Sequence, residues 1–265
     1  MGFNYAQFII ELANLFDDFP LSPSSVYVFD TIASTNVIVR QLLEQGHKPP
    51  LVAIASQQTA GKGQWGRTWY SPPGGLYLSM ALDLSLSVQE LPHLTLWSSW
   101  GIAQILRKYD IPVGLKWPND LILKGRKLGG IKSETSIYQG RINQGIIGIG
   151  INWSNEVPPT GISLQSFWTP HTVPPIASLE QLGAIILTGV FQGYNYYLSQ
   201  GSDRLLYAYV QLLESMGSSV VVNGVTGIIT GVTPQGELKV RFDASGASTE
   251  IALPPGTISL GYDTQ

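Results

Sequence analysis

The sequence predicts an α+β fold, in which a largely antiparallel sheet carries packed helices and a small β-barrel follows it. Residues 76–84 alternate leucine or methionine with other side chains, which is the pattern of a strand with one buried face. Residues 89–109 are apolar nearly all round, so we expect this helix to be buried against the sheet. Residues 220–260 divide into five short strands separated by turn sequences, which is typical of a small barrel.

The composition is that of a globular chain with little net charge. Of the 265 residues, 44% are hydrophobic and 12% are charged, which indicates a packed core. The net charge of −3 gives no overall attraction to nucleic acid or to an anionic membrane. The chain has no cysteine and three scattered histidines, so a protein-bound zinc ion is not expected. Because no apolar stretch reaches about 18 residues and no signal-peptide pattern is present, we expect a soluble, cytoplasmic protein.

The chain begins with a short amphipathic helix and a Pro/Ser linker over residues 1–25, too short for a winged helix-turn-helix domain. A strand at residues 26–29 leads to Ser34-Thr35-Asn36, whose side chains could cap the next helix or bind a ligand. On this pattern alone, a plain helix cap is the favoured interpretation. An apolar strand at residues 51–55 then leads to Gln57.

A glycine-rich loop follows this strand and carries two cations, Lys62 and Arg67, and two tryptophans, Trp65 and Trp69. Exposed backbone N–H groups and cations suit a phosphate, and a tryptophan face suits a flat ring. The loop matches neither a P-loop nor a dinucleotide fingerprint. It therefore predicts either a ligand-covering loop or a mobile surface loop. Its glycines are Gly61, Gly63, Gly66, Gly74 and Gly75.

Lys116 is the second candidate for an anion-binding group. It lies in an otherwise apolar strand that ends at Trp117-Pro118, and the chain turns at Asn119-Asp120. Burying a lysine is costly unless it meets an anion, so we favour a ligand role over a strand-edge lysine that reaches solvent.

Two hairpins follow, with strands at residues 121–123, 127–138 and 142–152. Glycines within these strands indicate that a ligand or another backbone passes close to the sheet. Glu134 could form a salt bridge within the sheet, and this structural role is favoured over a catalytic one. The glycines are Gly129, Gly130, Gly148 and Gly150.

The second half of the chain predicts a surface connection, two helices and the barrel. Residues 153–176 are rich in proline, and Ser178 with Gln181 forms a capping-box pattern for a helix to about residue 200. Ser202 or Asp203 caps a second helix that ends at residues 216–217. We therefore predict three units: a helix and linker (1–25), a main domain (26–216) and a barrel domain (217–265).

Taken together, these segments resemble the biotin protein ligase family over residues 26–260. The resemblance rests on the order and spacing of motifs that are each weak alone. The motifs are Ser34-Thr35-Asn36, the glycine loop with Arg67-Thr68-Trp69, Lys116-Trp117-Pro118-Asn119-Asp120, Lys127-Leu128-Gly129-Gly130 and Gly148-Ile149-Gly150-Ile151-Asn152.

This resemblance implies a mixed sheet with helices on one side and an SH3-like C-terminal barrel. Because residues 1–25 are too short for a winged helix-turn-helix domain, we expect the monofunctional type of this family, without an N-terminal DNA-binding domain. Biotin and MgATP would form biotinyl-5′-AMP, and the biotinyl group would pass to a lysine of a biotin carboxyl carrier protein, an acetyl-CoA carboxylase subunit. DNA and membranes are not expected as partners, and a homodimer is possible. No metal-binding site formed by protein side chains is expected.

The resemblance further implies roles for individual residues. Lys116 and Arg67 would be catalytic, because biotin carboxylate and the α-phosphate are two anions that must approach each other. The biotin site would comprise Ser34, Thr35, Asn36, Gln57, Lys62, Gly63, Gln64, Lys116, Gly130 and Gly150. The ATP and adenylate site would comprise Gly61, Lys62, Gly63, Arg67, Trp69, Lys116, Lys127 and Asn152.

Three other functions remain as alternatives. A lipoate ligase or octanoyltransferase shares the core fold by resemblance but needs an apolar hole instead of amide and hydroxyl groups. A biotin-responsive repressor needs a DNA-binding face, which this slightly acidic chain does not readily form. A pure binding module does not need the full set of cations and glycines. Lys62 and Gln64 also stand where many family members carry arginines.

Overall fold

The computed structural model describes residues 2–15, 21–168, 173–258 and 260–262. Its main element is a seven-stranded mixed sheet. The strands are β1 (Val26–Ile32), β2 (Leu51–Gln58), β3 (Leu76–Ser87), β4 (Gly114–Lys116), β5 (Asp120–Leu123), β6 (Arg126–Tyr138) and β7 (Arg141–Ile151). Their order is β1-β2-β3-β7-β6-β5-β4, where β1 and β2 are parallel and the other neighbours are antiparallel. The prediction of a mixed, largely antiparallel sheet is confirmed.

The helices lie on both faces of this sheet. They are α1 (Tyr5–Leu15), α2 (Thr35–Glu44), α3 (Leu91–Lys108), α4 (Leu164–Phe167) and α5 (Leu179–Val210). Val52 and Ile54 of β2 pack into the large core with residues of α1, α3 and α5. Leu51 and Ala53, which alternate with them, pack instead against Val39 of α2. Helices α1, α3 and α5 therefore lie on one side of the sheet, and α2 lies on the other.

Helix α5 begins where the capping pattern predicts, because the Ser178 hydroxyl accepts a hydrogen bond of 3.1 Å from the Gln181 N–H. The element is interrupted at Gly201, whose φ of 81° does not fit a helix. The two helices that the sequence predicts are thus joined at this glycine, and the second ends at Val210 instead of near residue 216. None of the described helices is long and apolar enough to cross a membrane.

The C-terminal strands form a four-stranded antiparallel sheet in the order β11-β10-β9-β8. They are β8 (Ser219–Val222), β9 (Val225–Val232), β10 (Leu238–Ala244) and β11 (Ala247–Leu253). The fifth predicted strand includes Ser259, which lies outside the described residues, and Ile258 and Leu260 belong to no strand. The boundary predicted near residue 216 falls between α5 and β8, and the division into units stays a prediction. The Trp117 indole N–H, just after β4, donates to the Gly236 carbonyl in the turn between β9 and β10 at 2.8 Å.

Candidate active site

A cleft lies on the α2 face of the sheet, over β6 and β7. Its walls are the start of α2, the end of β2 and the loop between β2 and β3. The residues that line it are Ser34, Thr35, Asn36, Gln58, Lys62, Gly63, Gln64, Trp65, Arg67, Thr68, Trp69, Asn119, Asp120, Lys127, Gly130, Ile131, Lys132, Gly148, Ile149 and Gly150. Most of the residues predicted for the two ligands therefore meet in one place.

One end of the cleft, which we call the uncharged end, is lined by uncharged polar groups at the start of α2, and Lys62, Lys132 and Glu134 lie at its border. Ser34 occupies the N-cap position, but its side chain makes no capping hydrogen bond. The Thr35 backbone N–H and hydroxyl both donate to Gln58 Oε1, at 2.9 and 3.2 Å. Ser79 Oγ lies 2.6 Å from both Thr35 Oγ1 and Asn36 Oδ1. The motif is thus held by neighbouring strands, and it does not act as a simple side-chain cap.

Gln58, and not Gln57, reaches this end of the cleft. Strand β2 pairs with β3 only as far as Ala55, and beyond it the Gln58 N–H bonds to the Ser71 carbonyl at 3.1 Å. In the buried part of β2, successive side chains alternate between the two faces of the sheet. This alternation therefore does not continue to the end of the strand. The Gln58 amide also donates to Ser71 Oγ at 2.9 Å, which fixes its orientation.

Glu134 lies beside the uncharged end and collects three partners. The Asn36 amide donates to Glu134 Oε1 at 3.0 Å, and Lys132 Nζ lies 3.1 Å from the same oxygen. Arg40 pairs with the other carboxylate oxygen. Burial, followed by the nearby charges of Lys62 and Arg40, lowers the pKa of Lys132 from its usual value. These contacts support a structural role for Glu134.

The glycine-rich loop folds back on itself over the cleft. Lys62 and Thr68 form an isolated bridge, and the Gly63 N–H donates to the Arg67 carbonyl at 2.7 Å. A Cβ atom at Gly61 would lie 2.5 Å from the Trp69 carbonyl oxygen, so this turn has no room for a side chain. The loop therefore presents Lys62, Gln64 and Arg67 to the cleft from one compact turn.

Two glycines of β7 allow side chains to lie directly on the strand, where the sequence predicts a ligand or another backbone. A Cβ atom at Gly148 would come within 2.2 Å of Asn36 Oδ1. A Cβ atom at Gly150 would come within 2.4 Å of Trp69 Nε1. The Trp69 ring thus rests on the sheet over Gly150, and Lys127 Nζ lies 5.2 Å from the centre of that ring.

Lys127 provides the cation at the other end of the cleft. Its Nζ lies 2.6 Å from Asp120 Oδ1, and a Cβ atom at Gly130 would lie 3.6 Å from that Nζ. On a regular strand, residues three apart, such as Lys127 and Gly130, face opposite sides. Here the pairing of β5 with β6 shifts: Leu121 pairs with Gly129, but the next residue, Ile122, pairs with Lys127. Leu128 is the extra residue of this bulge, and the bulge brings Lys127 to the same face as Gly130.

Lys116 does not line this cleft. It pairs with Asp120 across β4 and β5. Its strand, β4, is at the edge of the sheet and lies two strand spacings, on the order of 10 Å, from β6. Its side chain is buried, donates to the Gly261 carbonyl and lies 3.3 Å from the centre of the Tyr262 ring. The structure thus differs from the expectation that Lys116 faces both ligands.

Asn152 lies just beyond β7 in an adjoining cavity of about 250 Å³ that also borders Trp69, Lys127 and Tyr262. Its amide N–H donates to the Lys127 carbonyl at 3.3 Å, and its amide oxygen accepts from Asn155 at 3.1 Å. This cavity and the main cleft share Trp69 and Lys127, so they form one continuous depression.

The comparison with known proteins agrees with this geometry. The family model for "Biotin/lipoate A/B protein ligase family" matches residues 28–152. The bifunctional ligase/repressor BirA of Escherichia coli is 30% identical over 229 residues, which are 84% of this chain and 71% of that protein. The chain belongs to this family.

Two further ligases show the same similarity over much of the chain. The bifunctional ligase/repressor BirA of Bacillus subtilis is 27% identical over 206 residues, and this chain spans 63% of its length. A biotin protein ligase from Aquifex aeolicus, solved with biotin and ATP, matches with a TM-score of 0.69 at 22% identity. That match covers 90% of this chain and 99% of the Aquifex chain, and it shows the shared fold.

Several residues of the ligase-family cleft escaped sequence reasoning. Gln58 was overlooked because the apolar strand at residues 51–55 indicated Gln57 as the polar residue that follows it. Asp120 was assigned to a turn, although its carboxylate faces Lys127. Lys132 carried no signal beyond being a charge in a strand, and Tyr262 lies about 140 residues from its contact Asp120 in the sequence. Only the Lys-Leu-Gly-Gly motif could have indicated that Lys127 is the more central cation.

Proposed function

We propose that this chain is an ATP-dependent biotin protein ligase. It forms biotinyl-5′-AMP from biotin and MgATP and then transfers the biotinyl group to a carrier lysine. One observation carries the proposal: a single cleft joins an uncharged hydrogen-bonding end to an end that holds cations and an indole ring. Membership in the biotin/lipoate ligase family supports the same chemistry.

The uncharged end suits the ureido ring of biotin, which offers two N–H donors and a carbonyl acceptor. Ser34, Thr35, Asn36 and Gln58 provide both donors and acceptors within a few ångströms of each other. Because Gln58 and Ser79 already orient Thr35 and Asn36, little ordering is left to occur on binding. Gly130 leaves the strand surface beside Lys127 low enough for the valeryl arm, whereas the Trp69 ring covers Gly150.

The charged end suits the reacting groups. Biotin carboxylate must attack the α-phosphate, and two like charges about 4 Å apart repel by about 4 kcal/mol at an effective dielectric constant near 20. Lys127 lies where both anions would meet, so we assign the central cation to Lys127 instead of Lys116. Lys62 and Arg67 would neutralise phosphate oxygens, Trp69 would cover the adenine, and Asn152 would bind the ribose or adenine.

In the first half-reaction, a biotin carboxylate oxygen forms a bond to the α-phosphorus and pyrophosphate leaves. In the second, the uncharged amine of a carrier lysine attacks the acyl carbon, AMP leaves and the amine loses a proton. The protein forms no covalent intermediate in this scheme and acts by position and charge. The acceptor is a biotin carboxyl carrier protein, DNA is not a ligand of this chain, and a homodimer stays open.

A lipoate ligase is the second candidate, because the family model covers biotin and lipoate enzymes alike. Lipoate and octanoate carry an apolar tail where biotin carries the ureido group. Ser34 is buried and makes no capping hydrogen bond, and an apolar tail would offer it no partner, at about 1–3 kcal/mol for such a group. The hydrogen-bonded end of the cleft thus favours biotin.

The test is adenylate formation with three acids. The purified chain is incubated with MgATP and biotin, lipoate or octanoate, and pyrophosphate release and the acyl-adenylate are measured. We expect biotinyl-5′-AMP only, and a carrier domain added afterwards should gain the mass of one biotinyl group. Pyrophosphate release with lipoate but not with biotin would reverse the assignment.

A further inference from the structure

The C-terminal residues 260–262 lie across the ends of β4 and β5 and reach the charged end of the cleft. The Gly261 carbonyl accepts a hydrogen bond from Lys116, and the Tyr262 ring lies 3.3 Å from Lys116 Nζ. The Tyr262 hydroxyl donates to Asp120 Oδ2. Two side chains of the main sheet therefore hold this segment, which we call the tail.

Lys116 explains why the tail settles here. A buried ammonium group is costly unless acceptors surround it, and a carbonyl oxygen and an aromatic face both attract a cation. Lys116 is only 9% exposed, and the tail provides both kinds of partner. In this arrangement, Lys116 anchors the tail and does not face the proposed ligands.

Tyr262 then connects the tail to the proposed reaction centre through Asp120. One carboxylate oxygen of Asp120 accepts from the Tyr262 hydroxyl, and the other lies 2.6 Å from Lys127 Nζ. Burial and the nearby Asp120 charge raise the pKa of Tyr262 above its usual value, so the hydroxyl keeps its proton and remains a donor. A hydrogen bond on one oxygen and an ion pair on the other restrict the orientation of the Asp120 carboxylate, and with it the position of Lys127.

We propose that Tyr262 is a positioning residue for adenylate formation, which acts by fixing Asp120 and thereby the ammonium group of Lys127. The proposal rests on the proposed function. It links the C-terminal segment to catalysis through one chain of contacts, from Lys116 to Tyr262, Asp120 and Lys127. A small displacement of Lys127 would weaken its contact with the developing charge more than its contact with either substrate alone.

The opposite arrangement would have the tail occupy the nucleotide position and inhibit the enzyme. The cavity beside Tyr262 argues against it. About 250 Å³ stays open between Tyr262, Trp69, Lys127 and Asn152, so Tyr262 forms a wall of this space and does not fill it. The two arrangements predict opposite signs when the tyrosine is removed.

The experiment compares wild type with Tyr262→Phe, which removes only the hydroxyl, and Tyr262→Ala, which also removes the ring. Tyr207→Phe is the matched control, because Tyr207 is 66% exposed on α5. We measure kcat and KM of biotin-dependent pyrophosphate release, together with the melting temperature. We expect Tyr262→Phe to lower kcat about tenfold, the size of one hydrogen bond to a charged group, with the KM for biotin unchanged.

Lys116→Met completes the design, since it keeps the apolar stem but removes the anchor. If Lys116 acts through the tail, the double variant with Tyr262→Phe loses much less than the product of the two single losses. Equal kcat in Tyr262→Phe and wild type, or faster turnover in Tyr262→Ala, would overturn the positioning role. A double variant whose loss in kcat equals the product of the two single losses would overturn it as well. Wild type that forms no biotinyl-5′-AMP would instead overturn the proposed function.

Discussion

The two ends of the cleft are built in different ways. At the uncharged end, Thr35 and Asn36 are held by Gln58 and Ser79, from strands that pair directly with each other. At the charged end, Lys127 is held by Asp120, and Asp120 is held by a residue from the far end of the chain. The first end is a property of the sheet, and the second depends on distant parts of the chain meeting.

This difference follows from the cost of burying each kind of group. A neutral amide or hydroxyl needs one or two hydrogen-bond partners, which adjacent strands already offer. A buried cation needs an anion, and that anion must itself be held in place. The neutral end should therefore tolerate distant changes, whereas the charged end should respond to them.

Removing the central cation should give the largest effect. Lys127→Met keeps the hydrophobic stem near Trp69 but removes the ammonium group and leaves Asp120 without this partner. We expect the rate of biotin-dependent pyrophosphate release to fall at least about a hundredfold, equivalent to about 3 kcal/mol of transition-state stabilisation.

Two other lysines serve as comparisons for this variant. Lys124→Met removes an exposed lysine from the turn before β6 and should keep the wild-type rate. Lys116→Met should lose about tenfold, because it acts on the tail and not on the substrates. If Lys116→Met lost more activity than Lys127→Met, the central cation would be Lys116, as sequence reasoning alone suggests.

The sequence was sufficient for the regular parts of the molecule and insufficient where a strand departs from regularity. The alternation in β3, the apolar pattern of α3 and the glycines of β6 and β7 predicted elements that the structure contains. Two irregularities then decided the site. The end of β2 brings Gln58 to the cleft, and the bulge at Leu128 brings Lys127 there.

Both irregularities arise from long-range contacts that a period of two cannot reveal. At the end of β2, Gln58 bonds to Ser71, which lies beyond the glycine loop. Beside the bulge, the Lys127 N–H bonds to the Thr160 carbonyl, in the irregular segment after β7. For the same reason the sequence did not predict that α2 lies on the opposite face of the sheet from the other helices. Only its packing against Leu51 and Ala53 determines this position.

An intermediate effect is expected from the uncharged end, where adjacent glutamines provide a matched pair. Gln58→Ala removes the acceptor for the buried Thr35 and should weaken biotin binding about tenfold to a hundredfold, from about 1–3 kcal/mol per unpaired group. Gln57→Ala should change biotin affinity little, because Gln57 does not line the cleft. Calorimetric titration with biotin measures both.

The affinity for ATP provides the internal control for this pair. It should remain at the wild-type value in both variants, because the uncharged end does not face the proposed nucleotide position. A larger loss of biotin affinity in Gln57→Ala than in Gln58→Ala would place the ureido group elsewhere. An equal loss of biotin and ATP affinity would indicate that the two ends are not independent.

The smallest effect concerns retention of the intermediate, at position 64 of the glycine loop. Gln64 lines the cleft and offers a neutral hydrogen bond of about 0.5–1.5 kcal/mol, whereas an arginine would offer a charge-assisted bond of about 1.5–3 kcal/mol. The difference of about 1 kcal/mol corresponds to a several-fold change in an equilibrium constant. We therefore expect Gln64→Arg to release preformed biotinyl-5′-AMP several-fold more slowly than wild type, when no carrier is present. Gln64→Met, of similar length but uncharged, should not slow release; if it did so as much as Gln64→Arg, bulk and not charge would retain the adenylate.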